Sequence, residues 1–187
     1  MKRALFAATS MLVVSTVPAL AQQAGAVTAS EVEPQAYTGT WYEVARTPAP
    51  FQQECQGGVT AQYSLIDDTT MEVVNRCDTS GGETQSVSGE AEVVDGNFNT
   101  FSVEIGDEGA PGINYVVAAA SEVENGQYQW AAVYSPDDKI GWILSRSAEL
   151  DEEDREQARS ALEEAGVAVS ELSDTPQPPE TYEPSAD

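Results

Sequence analysis

From Val59 onward the chain repeats one pattern: a short run in which apolar and polar side chains alternate, then a few turn formers, then the alternation again. Ala61, Tyr63 and Leu65 alternate with Thr60, Gln62 and Ser64, and Val87, Gly89, Ala91 and Val93 share one face against Ser86, Ser88, Glu90 and Glu92. Phe101, Val103 and Ile105 do the same against Ser102 and Glu104. A period of two belongs to a strand with one dry and one wet face, and a helix cannot satisfy it. Asp67-Asp68-Thr69, Asp95-Gly96-Asn97, Glu124-Asn125-Gly126 and Pro136-Asp137-Asp138 are turn chemistry, short enough that successive strands must pair antiparallel. The pattern predicts eight strands, over residues 40–46, 59–65, 71–77, 86–93, 98–105, 113–120, 128–135 and 139–147. Such a meander removes its two open edges by closing on itself, so the expected fold class is all-β, an eight-stranded antiparallel up-and-down barrel. Glu90, Glu92, Ser102 and Glu104 on one face argue against an outer-membrane barrel, whose outside must be apolar.

Two motifs lie at the ends of this meander, Gly39-Thr40-Trp41-Tyr42-Glu43 and Trp142-Ile143-Leu144-Ser145-Arg146. The Arg146 guanidinium can lie across the Trp41 indole and donate to nearby carbonyls, which reads as a structural lock on the barrel floor. In this order and spacing the pair resembles the lipocalin family, and within it the bacterial and apolipoprotein D-like branch. The resemblance implies a barrel that holds a small apolar ligand in its mouth. It also implies a partial lid formed by the loop over residues 47–58 and a helix packed outside after the last strand. Asp151 is suited to cap that helix, predicted over residues 152–165, with Gly166 as its stop. Val167, Val169 and Leu172 are expected to return as a short strand against the barrel.

The sequence excludes much chemistry. It has no histidine, so triads, zinc sites and haem ligation that depend on one are out of reach. Residues 1–21 have a basic start, a short apolar core and a Pro18-Ala19-Leu20-Ala21 ending, the form of a signal peptide. The expected protein is therefore exported, periplasmic or secreted, and with no cysteine directly after the cleavage site it is expected to have no stable membrane anchor. Without Lys2 and Arg3, six basic residues face 32 acidic ones, a net charge near −26. Such a surface repels nucleic acid and anionic head groups. Cys55 and Cys77 are an even pair in an exported chain and are expected to form a disulfide that ties the lid to the third strand. The alternative is a free nucleophilic thiol in the mouth, as in a lipocalin-type isomerase.

Alternation and the family's geometry together nominate the lumen residues. They are Ala61, Tyr63, Val73, Asn75, Val87, Ala91, Phe101 and Val103, then Ala131, Val133, Trp142 and Leu144. Residues 113–120 are apolar almost throughout, so Asn114, Val116 and Ala118 are assigned inward there by resemblance alone. Asn75, Asn114 and Tyr63 are the polar groups placed to orient a ligand's head. A barrel of this size either fills with its own side chains or holds one small guest, and both outcomes stay open here. The preferred reading is a carrier of a small hydrophobic molecule, such as a fatty acid or lysophospholipid, without catalysis and without a cofactor. The alternatives are a lipocalin-fold enzyme acting on a bound lipid or isoprenoid, and an acidic interaction module. The domain is expected over residues 37–172, after a flexible leader at 22–36 and before a disordered acidic, proline-rich tail at 173–187.

Overall fold

The structure is a computed structural model that describes residues 27–28, 32–94, 96–106, 108–109 and 112–178. The expected signal peptide and the last residues of the tail lie outside these. Eight strands form the wall: β1 Gly39–Arg46, β2 Cys55–Leu65, β3 Thr70–Thr79, β4 Thr84–Val93, β5 Thr100–Ile105, β6 Tyr115–Ala120, β7 Trp130–Tyr134 and β8 Gly141–Ser145. Each pairs antiparallel with its neighbours in sequence, β8 pairs with β1, and β5 pairs with β6, so the sheet closes into a barrel. A short helix, α1 (Pro34–Tyr37), lies at the lower end, and α2 (Glu152–Glu164) packs on the outside.

Local chemistry explains the corners. Gly39 enters β1 at φ +99°, a conformation closed to most side chains, directly beneath the Arg146 guanidinium. Gly89 is required for a different reason. A Cβ there would come within 1.9 Å of the Glu104 carbonyl oxygen, so only glycine lets β5 close on β4. Asp151 caps α2 by accepting from the Asp154 backbone N–H at 2.9 Å. Gly166, at φ +84°, ends the helix as its position suggests.

Two apolar clusters result, one on each side of the wall. Inside are Tyr37, Trp41, Tyr63, Met71, Val73, Ala91, Phe101, Val117, Tyr128, Ala131, Val133 and Leu144. Outside, Val44, Ala45, Ala119, Trp130, Ala132 and Ile143 meet Ala158 and Leu162 of α2 and Val167 beyond it. This second cluster explains why β6 to β8 lack clean alternation. Their outer face is covered by the helix, so both faces are dry.

Several boundaries differ from expectation. β2 begins at Cys55, so the loop from β1 is shorter than predicted and contains a turn of 3₁₀ helix at Pro50–Gln52. The predicted seventh strand divides, with Gln127–Tyr128 pairing with Val123–Glu124 in a separate hairpin. The eighth is confined to Gly141–Ser145. The leader is not wholly free, since Val27–Thr28 pairs with Ala120 and Ala119 and α1 begins at Pro34.

The largest difference concerns the tail. Residues 173–178 are built into the wall, and the returning strand is Ser173–Asp174, which pairs with Arg46 and Ala45; Val169–Glu171 is 3₁₀ helix. The cause is a gap. The β1–β2 ladder runs only from Gly39↔Tyr63 to Tyr42↔Thr60, leaving backbone groups beyond it without a strand partner. Gln177 Nε2 donates to the carbonyls of Glu43 at 2.7 Å and Val59 at 3.0 Å, the Thr175 N–H to that of Val44 at 3.1 Å, and Gly58 N–H to that of Pro176 at 2.8 Å. Thr175 and Gln177 are buried as a result.

Candidate functional site

Side-chain direction in the lumen follows from register, because residues paired across strands point the same way. The row Trp41, Ala61, Asn75, Val87 lies on the inner face, as does the row Tyr63, Val73, Gly89, Ile105. Met71, Ala91 and Val103 form a third row, and Val93, Phe101 and Tyr115 a fourth. Ala131 and Leu144 on one rung, Val133 and Trp142 on another, complete the wall.

On β6 the expected assignment is corrected. Tyr115 and Val117 join the inner cluster, while Val116 lies between them on the opposite face and Ala118 packs against the outer cluster. A bulge there lets Ala132 and Val133 pair with Ala119 and Val117, skipping Ala118, so parity changes mid-strand. Asn114 does not face a ligand either. Its amide accepts from the Val103 N–H at 2.8 Å and donates to the Val103 carbonyl at 2.9 Å, taking the place of a missing ladder rung.

The lower half of the lumen is filled. Arg146 lies 3.6 Å from the centre of the Trp41 ring and donates to the carbonyls of Ala36, Tyr37, Thr38, Thr40 and Tyr128. Burial lowers its pKa to about 10, which leaves it charged at neutral pH. Above it three tyrosine hydroxyls meet: Tyr37 and Tyr115 at 2.7 Å, Tyr63 and Tyr115 at 3.1 Å. Desolvation pushes the Tyr63 hydroxyl up to about 12 and raises those of Tyr37 and Tyr115 well above their ordinary value, so all three are neutral. Phe101 packs edge-on against Phe98 and Tyr115.

The upper half is different. Ala61, Val103, Ile105 and Trp142 point inward yet keep partial solvent access, and Val87 is 50% exposed. The Asn75 Oδ1 is buried in this region without a hydrogen-bond partner. Side chains that face inward and still meet solvent line the open end of the barrel. A mostly apolar concavity with one unsatisfied polar group is the usual form of a small-molecule site.

A polar network crosses the rim. The Glu43 carboxylate, 3% exposed, accepts from Arg46 Nη1 at 2.7 Å, Thr175 Oγ1 at 2.7 Å and Gln52 Nε2 at 2.9 Å. Gln52 Oε1 in turn accepts from Trp142 Nε1 at 2.9 Å, and Phe51 stacks on Trp142 with ring centres 6.0 Å apart. Cys55 and Cys77 form a disulfide, which overturns the free-thiol alternative. It also fits an oxidising compartment. Sequence reading misses the Glu43 network because it depends on the tail, and it misses the tyrosine floor because the resemblance puts β6 one residue out of phase. An aromatic at position 115 beside small residues is the available clue.

Two surface clefts flank α2 outside the barrel, one of about 480 Å³ walled by Glu122, Glu124, Glu149, Asp151 and Asp154. The other is bounded by Arg155, Glu156, Arg159 and Asp174. Both are polar and open to solvent, so the lumen is the stronger site.

Comparison with known proteins agrees with this geometry. Residues 32–177 match the lipocalin-like domain family. The chain belongs to the lipocalin family. It is 30% identical to the outer membrane lipoprotein Blc of Citrobacter freundii over 79% of this chain and 81% of that protein. It is likewise 30% identical to temperature-induced lipocalin-1 of Arabidopsis thaliana, over 78% and 81%. Among solved structures, lobster apocrustacyanin A1 superposes with a TM-score of 0.63 at 20% identity, over 78% of this lipocalin and 80% of that chain. Insecticyanin from the tobacco hornworm Manduca sexta gives 0.60 at 19%, over 82% and 85%. These two show the shared fold. Lipocalins are a family known for binding small hydrophobic ligands, and the lumen is where this fold places them.

Proposed function

We propose that this lipocalin is an exported, non-catalytic carrier of a small membrane-derived lipid, a fatty acid or lysophospholipid being the simplest class. The observation that carries the reading is the contrast along the lumen: an aromatic floor below, and above it inward apolar side chains that still meet solvent. An acyl chain entering from the mouth would cover Val87, Val103, Ile105 and Trp142. Each buried methylene contributes about 0.8 kcal/mol, so a chain of a dozen supports micromolar or tighter binding after ordering costs. The Phe51–Trp142 stack and the Gln52 hydrogen bond hold the β1–β2 loop across the rim, where it would act as a partial lid. Trp142 is also a reporter, because an occupant of the upper lumen changes its surroundings.

The test is native mass spectrometry of protein purified from its own host, followed by extraction of what is bound. A bound lipid of defined mass is the expected result, together with a change in Trp142 fluorescence when delipidated protein is titrated with an acyl chain. Protein that emerges empty and leaves its fluorescence unchanged with every amphiphile tried would overturn the carrier reading.

A further inference from the structure

The carrier reading leaves the polar end of the ligand undefined, and the placement of charge in the barrel narrows it. Beyond Lys2 and Arg3 the sequence has six basic residues, and each has a position in the structure. Arg146 is locked under Trp41 by five carbonyls. Arg46 is held by Glu43 at 2.7 Å and by the Cys55 carbonyl at 3.3 Å. Arg76 follows the inward Asn75 and so points outward, where it reaches Gln62 at 3.4 Å. Lys139 sits over the Tyr134 ring and donates to the Ala165 carbonyl at the end of α2. Arg155 and Arg159 lie on α2 outside the barrel, beside Asp174 and Glu156. Among the described residues, then, no unengaged cation faces the lumen.

The acids point the other way. Glu43 is buried at the inner rim, and Glu54, Glu83, Asp137 and Asp138 are exposed on the loops of the open end. A carboxylate or phosphate entering here would lose water, gain no counter-charge and pass a ring of like charges. What the upper lumen does offer is neutral: the unpartnered Asn75 Oδ1, an acceptor between Ala61 and Val87. This oxygen is sealed from solvent, so a ligand must part the neighbouring side chains to reach it; a hydroxyl or amide N–H would then satisfy it, and an ionised carboxylate has no proton to give.

Resting on the carrier reading, and narrowing its ligand away from the fatty acids named above, we infer that the lumen selects an uncharged amphiphile whose polar end donates a hydrogen bond to Asn75, such as a fatty alcohol or monoacylglycerol, over an anionic lipid of equal chain length. The experiment compares 1-monolauroylglycerol with laurate by titration calorimetry at pH 8 on the delipidated full chain. The glycerol ester is expected to bind at least about tenfold more tightly. In Asn75→Leu, with folding checked by near-ultraviolet circular dichroism, that preference is expected to shrink to less than about threefold through weaker binding of the ester. Laurate binding equal to or tighter than the ester in the natural chain overturns the inference while leaving the carrier reading intact. An unchanged preference in a folded Asn75→Leu overturns the role given to Asn75. Binding of neither ligand overturns this inference, and the carrier reading falls with it only when the protein also emerges empty from its host.

Discussion

The two ends of the barrel are closed by different physics. At the floor, Trp41, Tyr37, Tyr63 and Phe101 are buried, and one cation gathers the carbonyls of α1 and the start of β1. At the mouth, segments distant in sequence meet through one covalent and two polar links: the disulfide, the Glu43 carboxylate and the Gln177 amide. Dry packing is dense and costly to disturb throughout, whereas the mouth depends on one covalent bond and a few individual hydrogen bonds, each of modest worth. The floor therefore sets whether the chain folds, and the mouth sets how readily a guest enters and leaves.

The largest effect that would test this division is at the floor. Arg146→Ala removes the cation over Trp41 and leaves five carbonyls to find other partners, which should cost about 4 kcal/mol. For a chain of this size that lowers Tm by on the order of 10 °C. Ligand affinity at 25 °C should stay within about twofold, since Arg146 lies below the tyrosines. A collapse in affinity with Tm unmoved would break the comparison. Next, Cys55→Ser with Cys77→Ser opens a link across 22 residues, expected to cost about 3 kcal/mol by thermal melts and to speed ligand release in stopped flow.

A smaller change sharpens the role of the mouth. Gln177→Ala removes the buried amide that bridges Glu43 and Val59, for about 1 to 2 kcal/mol, and should raise the ligand off-rate more than it lowers Tm. The mildest effect appears only in alkali. Burial raises the pKa of Tyr63 to about 12, so the folded state holds that proton more tightly than the unfolded chain, which titrates near 10. Tm should be level below about pH 10 and fall as pH climbs toward 12. Absorbance of the phenolate should show Tyr37, Tyr63 and Tyr115 titrating only as the fold is lost.

Particular residues show what the sequence could and could not reveal. The strands carrying Ala61 to Leu65 and Val87 to Val93 were legible because one face is wet. The floor was legible because Trp41 and Arg146 stand at fixed ends of the meander. β6 was not, since α2 covers its outside and the bulge at Ala118 changes parity, leaving no polar residue to mark direction. Nor was the end of the chain. Pro176 and Pro178 among acids read as unfolded, yet a segment that fills a gap between two strands needs only a few donors, and Thr175 and Gln177 supply them.

Where the last described residue stands has a practical consequence. Pro178 sits against Gly58, whose added Cβ would lie 3.6 Å from the proline ring, so this residue lies beside the β1–β2 loop. A bulky label placed at Pro178 would stand at the doorway through which cargo must pass, whereas one placed on the exposed Gln35 of α1 would hang beneath the sealed base. Uptake kinetics measured with a label at Pro178 would report on the label as much as on the protein.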